Sequence, residues 1–479
     1  MPRISYTKAY DEAIDNILDT RKKEDLEDAL WEPFYDMKAK CTKSCGKTLR
    51  IIILNAPCNG FGDLIFALKL GKYLYEWYGA HVTIATTFEK GLLNLGANPK
   101  HVVGLVGGKQ TQCRRFRRLR LNKKLPKQDL IFVAPIQIDF DADLKDVQKV
   151  LPYATYFNTF TFSEYNDQTN KNFTFHTGIG KERGVDRDGI LITKVPATRG
   201  KPKGLKNPYV LVYVAASLTG VDRCIFSFVE MVAKKYYKKH SKLDIVVPSW
   251  FDKEDLDRLL NRKVAPYYPN IKVVRKDKKD IVIAEGDRYD NTLTFRCDIL
   301  PVHNKEMLVF MRKSLDDILL TGDQSITDAF SCCPTKNIFY QIAPWKSNLG
   351  KQLAKEMPNA YLKSVKTSCG TLRALRYKGN YKKFVSKWDF RKRSKAKMDA
   401  IVLSALAMKK DKGFKQISKI VEHSRTLASL KKNIRRLEDG YKMHRSPKRK
   451  KKVSRGKKRC VYGVKKDGGC KKKPGPKKR

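Results

Sequence analysis

The chain has 479 residues, 100 Lys and Arg against 49 Asp and Glu, and a net charge of +51. With 41% hydrophobic and 10% aromatic residues it can bury a core, which excludes a wholly disordered protein, and its length suits two or three domains. A charge this far from zero points to an anionic partner (nucleic acid, a headgroup surface or a phosphorylated ligand) and says nothing about fold.

The first residues, Met1 to Lys8, contain no apolar signal core, and charges interrupt every apolar run before it reaches spanning length. A cytoplasmic location without a transmembrane segment is therefore expected. The eleven cysteines form no paired framework, which fits a reducing compartment. Cys41 with Cys45 and Cys460 with Cys470 lack a second pair or a His at ligand spacing, so no metal site is expected.

Residues 6–40 carry apolar positions at helical spacing, including Ala13, Ile14, Ile17 and Leu18, and predict a helical lead-in. Ile51 to Leu54 is a continuous, mostly β-branched run of the kind buried on both sheet faces. It leads through Asn59, Gly60, Phe61, Gly62 and Asp63 into a helix whose stripe is Leu64, Ala67, Leu68, Gly71, Leu74, Tyr75 and Tyr78. A second strand spans 81–86, and the helical crossover makes the two strands parallel. Residues 130–133 add a later strand to that sheet.

The stretch from 183 to 208 is polar and rich in Gly and Pro, a linker or rim. The pattern then restarts with a strand at 209–214, the turn 216–220, and a helix with the stripe Ile225, Phe228, Val229, Val232 and Tyr236. Further strands are expected at 243–247, 271–274, 281–284, 318–320 and 338–340. Beyond Tyr381 the chain reads as helical and basic. Between Arg445 and Arg479 it holds 18 Lys or Arg and one acid, Asp467, a segment expected to be a solvated, disordered arm. That arm carries +17 and leaves +34 on residues 1–444. A second cluster, residues 109–127, has no acid; it contains Arg114, Arg115, Arg117, Arg118 and Arg120.

Open parallel sheets bind ligands beyond the carboxyl ends of their strands, where helix N-termini present free N–H groups to anions. Three turns suit that geometry. Gly60 and Gly62 allow close backbone approach, with Asp63 placed to cap the helix. The motif is not a full G-x-G-x-x-G, and Thr86 and Thr87 stand where a dinucleotide site carries an acid, so no dinucleotide cofactor is expected. Ser217 to Arg223 opens the second unit. In the third turn a buried strand passes through Gly322 into a helix whose start carries Asp323, Gln324, Ser325, Thr327 and Asp328. These groups can hold a diphosphate and a sugar hydroxyl, or serve as ordinary helix caps.

The run from Asp317 to Phe330, with Lys336 to Lys346, resembles the donor-site region of GT-B glycosyltransferases. Asn59 to Leu74 with Val82 to Thr87 resembles the glycine loop and first βαβ unit of their acceptor domain. The resemblance implies an α/β protein: a helical extension over 1–48, a Rossmann-like acceptor domain over 49–205, a Rossmann-like donor domain over 206–378, a basic helical segment over 379–444 and the basic tail over 445–479. It implies a nucleotide-sugar substrate and no obligatory cofactor or metal. Gly60, Gly62, Ser217, Gly322, Asp323, Gln324 and Ser325 would then contact the donor. Asp328 would bind ribose or sugar hydroxyls, and Arg223 or Lys346 would offset charge on the departing diphosphate. Asp63, Asp139 and Asp141 are the positional candidates for a catalytic base.

Asp139 and Asp141 after an apolar strand also resemble the metal-binding Asp-x-Asp of the other large glycosyltransferase class. The tail around Cys460, Gly463 and Cys470 resembles the Cys/Gly/Lys-rich tails of some large DNA-virus proteins, which implies a viral factory or virion setting. The Arg114–Arg120 cluster and Lys450, Lys451 and Lys452 are the expected nucleic-acid contacts. Two functions are therefore expected: a sugar transferase with a nucleic-acid-binding tail, or a non-catalytic protein of the same shape bound to a genome. Docking on anionic lipid is a third reading.

Overall fold

The computed structural model describes residues 49–402, apart from 59–60, 108–115, 117, 136–139, 156–157, 166–174, 183–184, 194–201, 203, 216–220, 252–262, 277–278, 287–289, 344–345, 358–359, 368–369, 378–380, 396 and 399–400. The expected helical lead-in, the cysteine pairs at 41/45 and 460/470, and the basic tail lie outside these residues.

The first sheet is built from β1 (Arg50–Asn55), α1 (Gly62–Tyr78), β2 (His81–Thr86), α2 (Glu89–Asn94), β3 (Val102–Val106), β4 (Arg120–Leu121), β5 (Leu130–Val133), α3 (Phe140–Val150), β6 (Thr159–Ser163) and β7 (Phe175–His176). Its strand order is β4-β3-β2-β1-β5-β6-β7, parallel except for the edge pair β3/β4. Alternate residues of β1 serve two faces, as a doubly covered strand requires. Ile52 and Leu54 pack with Ile131, Val133 and the α3 residues Leu144 and Val147. Ile53 faces α1, where Gly71 lets the helix settle onto Ile53, Val82 and Ile84. A short hairpin of β8 (Lys181–Glu182) and β9 (Val185–Asp186) follows.

The second sheet comprises β10 (Tyr209–Tyr213), α4 (Val221–Tyr236), β11 (Lys242–Val246), β12 (Asn270–Val274), β13 (Ile281–Ala284), β14 (Thr292–Arg296), α5 (Asn304–Lys313), β15 (Asp317–Leu320), α6 (Asp323–Cys332), β16 (Asn337–Gln341), α7 (Ser347–Glu356), β17 (Ala360–Thr367) and β18 (Gly370–Tyr377). The order is β13-β12-β14-β11-β10-β15-β16-β18-β17, with a parallel centre and antiparallel pairs at both edges. The α4 stripe of Ile225, Phe228, Val229 and Val232 is buried against Val210, Val212, Ile245 and Phe295. The two sheets with their helices give the expected α/β architecture.

Two short helices, α8 (Lys382–Trp388) and α9 (Phe390–Arg393), follow. Tyr381 and Phe384 pack on Phe330 of α6, with ring centroids 4.8 and 5.3 Å away. Phe390 inserts among Tyr73, Trp77, Phe162 and Phe175 of the first sheet and α1, at 5.9–6.3 Å. Backbone bonds from Ile190 N to Trp388 O and from Phe390 N to Ile190 O hold it there. This segment joins both sheets.

Two sequence expectations need revision. Asp141, expected in an Asp-x-Asp motif directly after an apolar strand, lies in the first turn of α3, a position where acids complement the helix dipole; Asp139 lies outside the described residues. Cys58 is disulfide-bonded, whereas the scattered cysteines led to an expectation of reduced thiols; Cys224, Cys297, Cys332 and Cys333 are free and buried.

Candidate functional site

A cleft of about 300 Å³ opens where the carboxyl ends of both sheets meet. Phe61 at the N-cap of α1, Ile65 in its first turns, and Asn94 and Leu95 at the end of α2 form one wall. Tyr213 at the end of β10, the segment from Leu300 to Asn304, Met307 and Met311 of α5, and Ser325 and Asp328 of α6 form the other. The wall is mostly apolar with a few polar groups, the usual make-up of a small-molecule site.

The bend at Gly322 is open. Its backbone has φ 94° and ψ 146°, a region almost confined to glycine, the residue is exposed, and a Cβ there would meet nothing within 4 Å. No side chain caps α6, and its first intrahelical bond runs from Ile326 N to Gly322 O, so the N–H groups of Asp323, Gln324 and Ser325 have no intrahelical partner. The Ser325 hydroxyl, which lines the cleft, has no partner among the described residues. Gly322→Ala is expected to cost about 1–3 kcal/mol through backbone strain alone, since space is not limiting; chemical denaturation measures it.

Behind this bend a polar network ties the two sheets together. Lys69 of α1 reaches Asp328 Oδ1 at 2.6 Å and donates to Leu191 O at 3.1 Å. Thr193 donates to the same Oδ1. Asp328 is 3% exposed, and its Oδ2 has no partner among the described residues. Lys346 is buried between Asp323 at 2.9 Å and Glu164 at 3.3 Å, and donates to Tyr165 O. Gln324 Nε2 donates to Tyr165 OH at 2.9 Å, as does Leu191 N at 3.0 Å. Gln324 Oε1 is buried without a hydrogen bond. Burial pushes the Tyr165 and Tyr213 phenols up, so both stay neutral hydrogen-bonding groups at ordinary pH.

The structure thus brings Gly322, Asp323, Gln324, Ser325, Asp328 and Lys346 to one place. Lys346 is already matched by two carboxylates there. Gly62 stands at the start of α1, where a Cβ would meet nothing within 4 Å. Asp63 does not cap α1: Phe61 occupies the N-cap, and buried Asp63 Oδ2 accepts the Cys58 N–H at 2.8 Å, bracing the glycine turn. Gly60, Ser217 and Asp139 lie outside the described residues, as do Arg114, Arg115, Arg117 and Lys450–Lys452; Arg223 is on α4 and Asp141 on α3, where only the backbone is described. Arg118 and Arg120 are exposed at the edge of the first sheet, in a separate place from the bend.

Lys69, Glu164, Tyr165 and Thr193 had not been singled out in the sequence. Lys69 carries a faint signal: a cation four residues after Ile65 on a helix face that otherwise lines the cleft. Glu164, Tyr165 and Thr193 carry none, because their roles depend on partners 135 or more residues away in the chain.

No family model matches the chain, and no curated protein does. Among solved structures it is similar to an alpha-glucosyltransferase bound to UDP and a 13-mer DNA with an HMU base (12% identity, TM-score 0.32, 61% of this chain and 80% of that one). It is also similar to S. aureus MnaA with UDP (12%, TM-score 0.32, 65% and 88%) and to E. coli heptosyltransferase WaaC with ADP (11%, TM-score 0.29, 65% and 98%). Likenesses this distant leave activity to be decided by the residues of the cleft. No described helix is long and apolar enough to cross a membrane.

Proposed function

We propose that the cleft binds a nucleotide-sugar and that the chain is a GT-B-type glycosyltransferase. One observation carries this reading: an open glycine bend with three helix N–H groups stands at the carboxyl end of a parallel sheet, and Ser325 and Asp328 of the helix it opens line a cleft of about 300 Å³ whose other wall comes from the start of α1 and the end of α2. The N–H groups suit a diphosphate. The free Oδ2 of Asp328 suits a sugar or ribose hydroxyl, and the apolar wall suits a base. The basic tail would hold nucleic acid through phosphate neutralisation and counterion release.

Calorimetric titration of the full chain with uridine and guanosine diphosphate sugars tests it. A saturable one-site heat is expected, and Ser325→Ala should weaken binding about tenfold, the effect of losing one hydrogen bond to a charged oxygen. A panel giving no heat would overturn the reading.

A second reading, a non-catalytic protein of this shape packaged with a genome, draws on the state of the cleft cations. Lys69 and Lys346, which reach Asp328 and Asp323 of α6, are already paired with carboxylates. Binding of the nucleotide-sugar with no release of free nucleoside diphosphate, under any acceptor, would favour that reading over transfer.

A further inference from the structure

We infer that the acceptor is a nucleic acid strand, laid along the outer edge of the first sheet; this rests on the nucleotide-sugar reading above. The edge is pre-shaped for the task. β4 runs antiparallel to β3 and sets Arg120 opposite Val106, at the carboxyl end of the sheet. Phe116 and Leu119 are buried in the core of the first sheet and pin the turn, so that Arg118 and Arg120 project to solvent. Arg118 has φ 65°, a costly conformation for a residue with a side chain, and its carbonyl lies 2.9 Å from where a Cβ on Gly107 would sit. Strain of this kind persists where the surroundings over-determine it, and it clusters at functional sites.

From that end a line of cations follows β3 back along the sheet. Asn122 N bonds Gly104 O, and Lys123 reaches Val102 O. Arg118, Arg120, Lys123, Lys124 and Lys127 are all exposed, and none makes an ion pair among the described residues. Unpaired like charges in a row match the repeating phosphates of a polynucleotide.

At the cleft end the edge meets an aromatic lip. Phe88 is 43% exposed and stacks on the cleft-lining Phe61, with centroids 6.1 Å apart. The helix after it touches the basic edge through Glu89 and Asn122. Of the four large apolar side chains exposed among the described residues, Phe88 and Val106 both belong to this rim. Aromatic faces beside a cationic track are the means by which single strands are held without sequence preference. A lipid surface would call instead for an apolar helix face.

In the transfer, a hydroxyl oxygen of the nucleic acid forms the bond to the anomeric carbon as that carbon's bond to the diphosphate breaks. The electron pair leaves with the nucleoside diphosphate, which takes up the hydroxyl proton.

Two measurements on the full chain test this. In the first, a single-stranded 20-mer carrying 5-iodouracil is photo-cross-linked and the adducts are mapped by mass spectrometry. Adducts are expected on Phe88 and within residues 116–127, falling at least tenfold in R118E/R120E while those on the tail persist. Adducts confined to residues 445–479, adducts unchanged by R118E/R120E, or displacement of the oligonucleotide by phosphatidylserine vesicles would each overturn the edge as a nucleic-acid site. In the second, radiolabelled nucleotide-sugars are incubated with pooled cellular DNA and RNA. Acid-precipitable label released by nuclease supports a nucleic-acid acceptor; label found only on protein or as free sugar overturns it. The nucleotide-sugar titration above reads the cleft separately, so its failure is distinguishable from failure at the edge.

Discussion

Replacing Lys69 with methionine is expected to destabilise the protein by about 3–5 kcal/mol, because it strands the Asp328 carboxylate in a site where both side chains are below 10% exposed. Asp328→Leu should cost a similar amount by leaving the ammonium uncompensated, with only Leu191 O to accept from it. The doubly substituted K69M/D328L should recover most of the loss, since a buried ion pair exchanged for apolar groups of similar volume is often neutral or stabilising. Urea unfolding of the four proteins, followed by tryptophan fluorescence, gives the coupling between the two positions. Single losses below about 1 kcal/mol would mean that water reaches the pair and that it contributes as a surface bridge does. The recovered double variant has a further use. It should be folded and yet bind nucleotide-sugar weakly, because the free Oδ2 of Asp328 is gone while the glycine bend is intact. Stability and ligand affinity would then separate at one residue.

The sheet centres were legible from sequence because parallel strands covered on both faces need long β-branched runs. Residues 81–86, 130–133 and 281–284 form strands with the expected limits, and the α4 stripe is buried as its spacing requires; in α1 the expected stripe holds at Leu64, Ala67, Gly71, Leu74 and Tyr78, but Leu68 is half-buried and Tyr75 is 66% exposed. The edges were not legible. β3 contains Gly104, which interrupts its apolar run, and β6 reads Thr-Phe-Thr-Phe-Ser, an alternation that suggests one wet face although all five residues are buried. β17 and β18 interleave Lys and Arg with apolar residues and are paired by a hairpin that composition alone does not reveal. In the site, the Gly322 bend showed itself because its backbone demand is local. The partners of Asp328 and Lys346 did not, because an ion pair between residues 259 positions apart leaves no periodic trace.

Phe390→Ala is the other substitution with a large expected effect, about 3–5 kcal/mol for emptying a fully buried aromatic site. Its consequence should be regional. Phe390 packs among four aromatic rings of the first sheet and α1, while Tyr381 and Phe384, a few residues earlier, pack on Phe330 of α6, the helix that carries the Gly322 bend. The segment is therefore a second tie between the sheets, independent of the Lys69–Asp328 pair. Arg391 over Tyr73 at 5.4 Å and Arg393 over Trp388 at 4.3 Å add cation–π contacts along it. Loss of the ring should leave the second sheet's core intact and weaken its hold on the first. Hydrogen exchange ought to show faster exchange at Ile190 N, which bonds Trp388 O, and at Phe390 N, with β10 and β11 unchanged. Uniform acceleration through both sheets would mean instead that they unfold as one unit and that the segment is simply part of a shared core. In the regional case nucleotide-sugar affinity should also fall, because a cleft with one wall on each sheet keeps its width only while both ties hold.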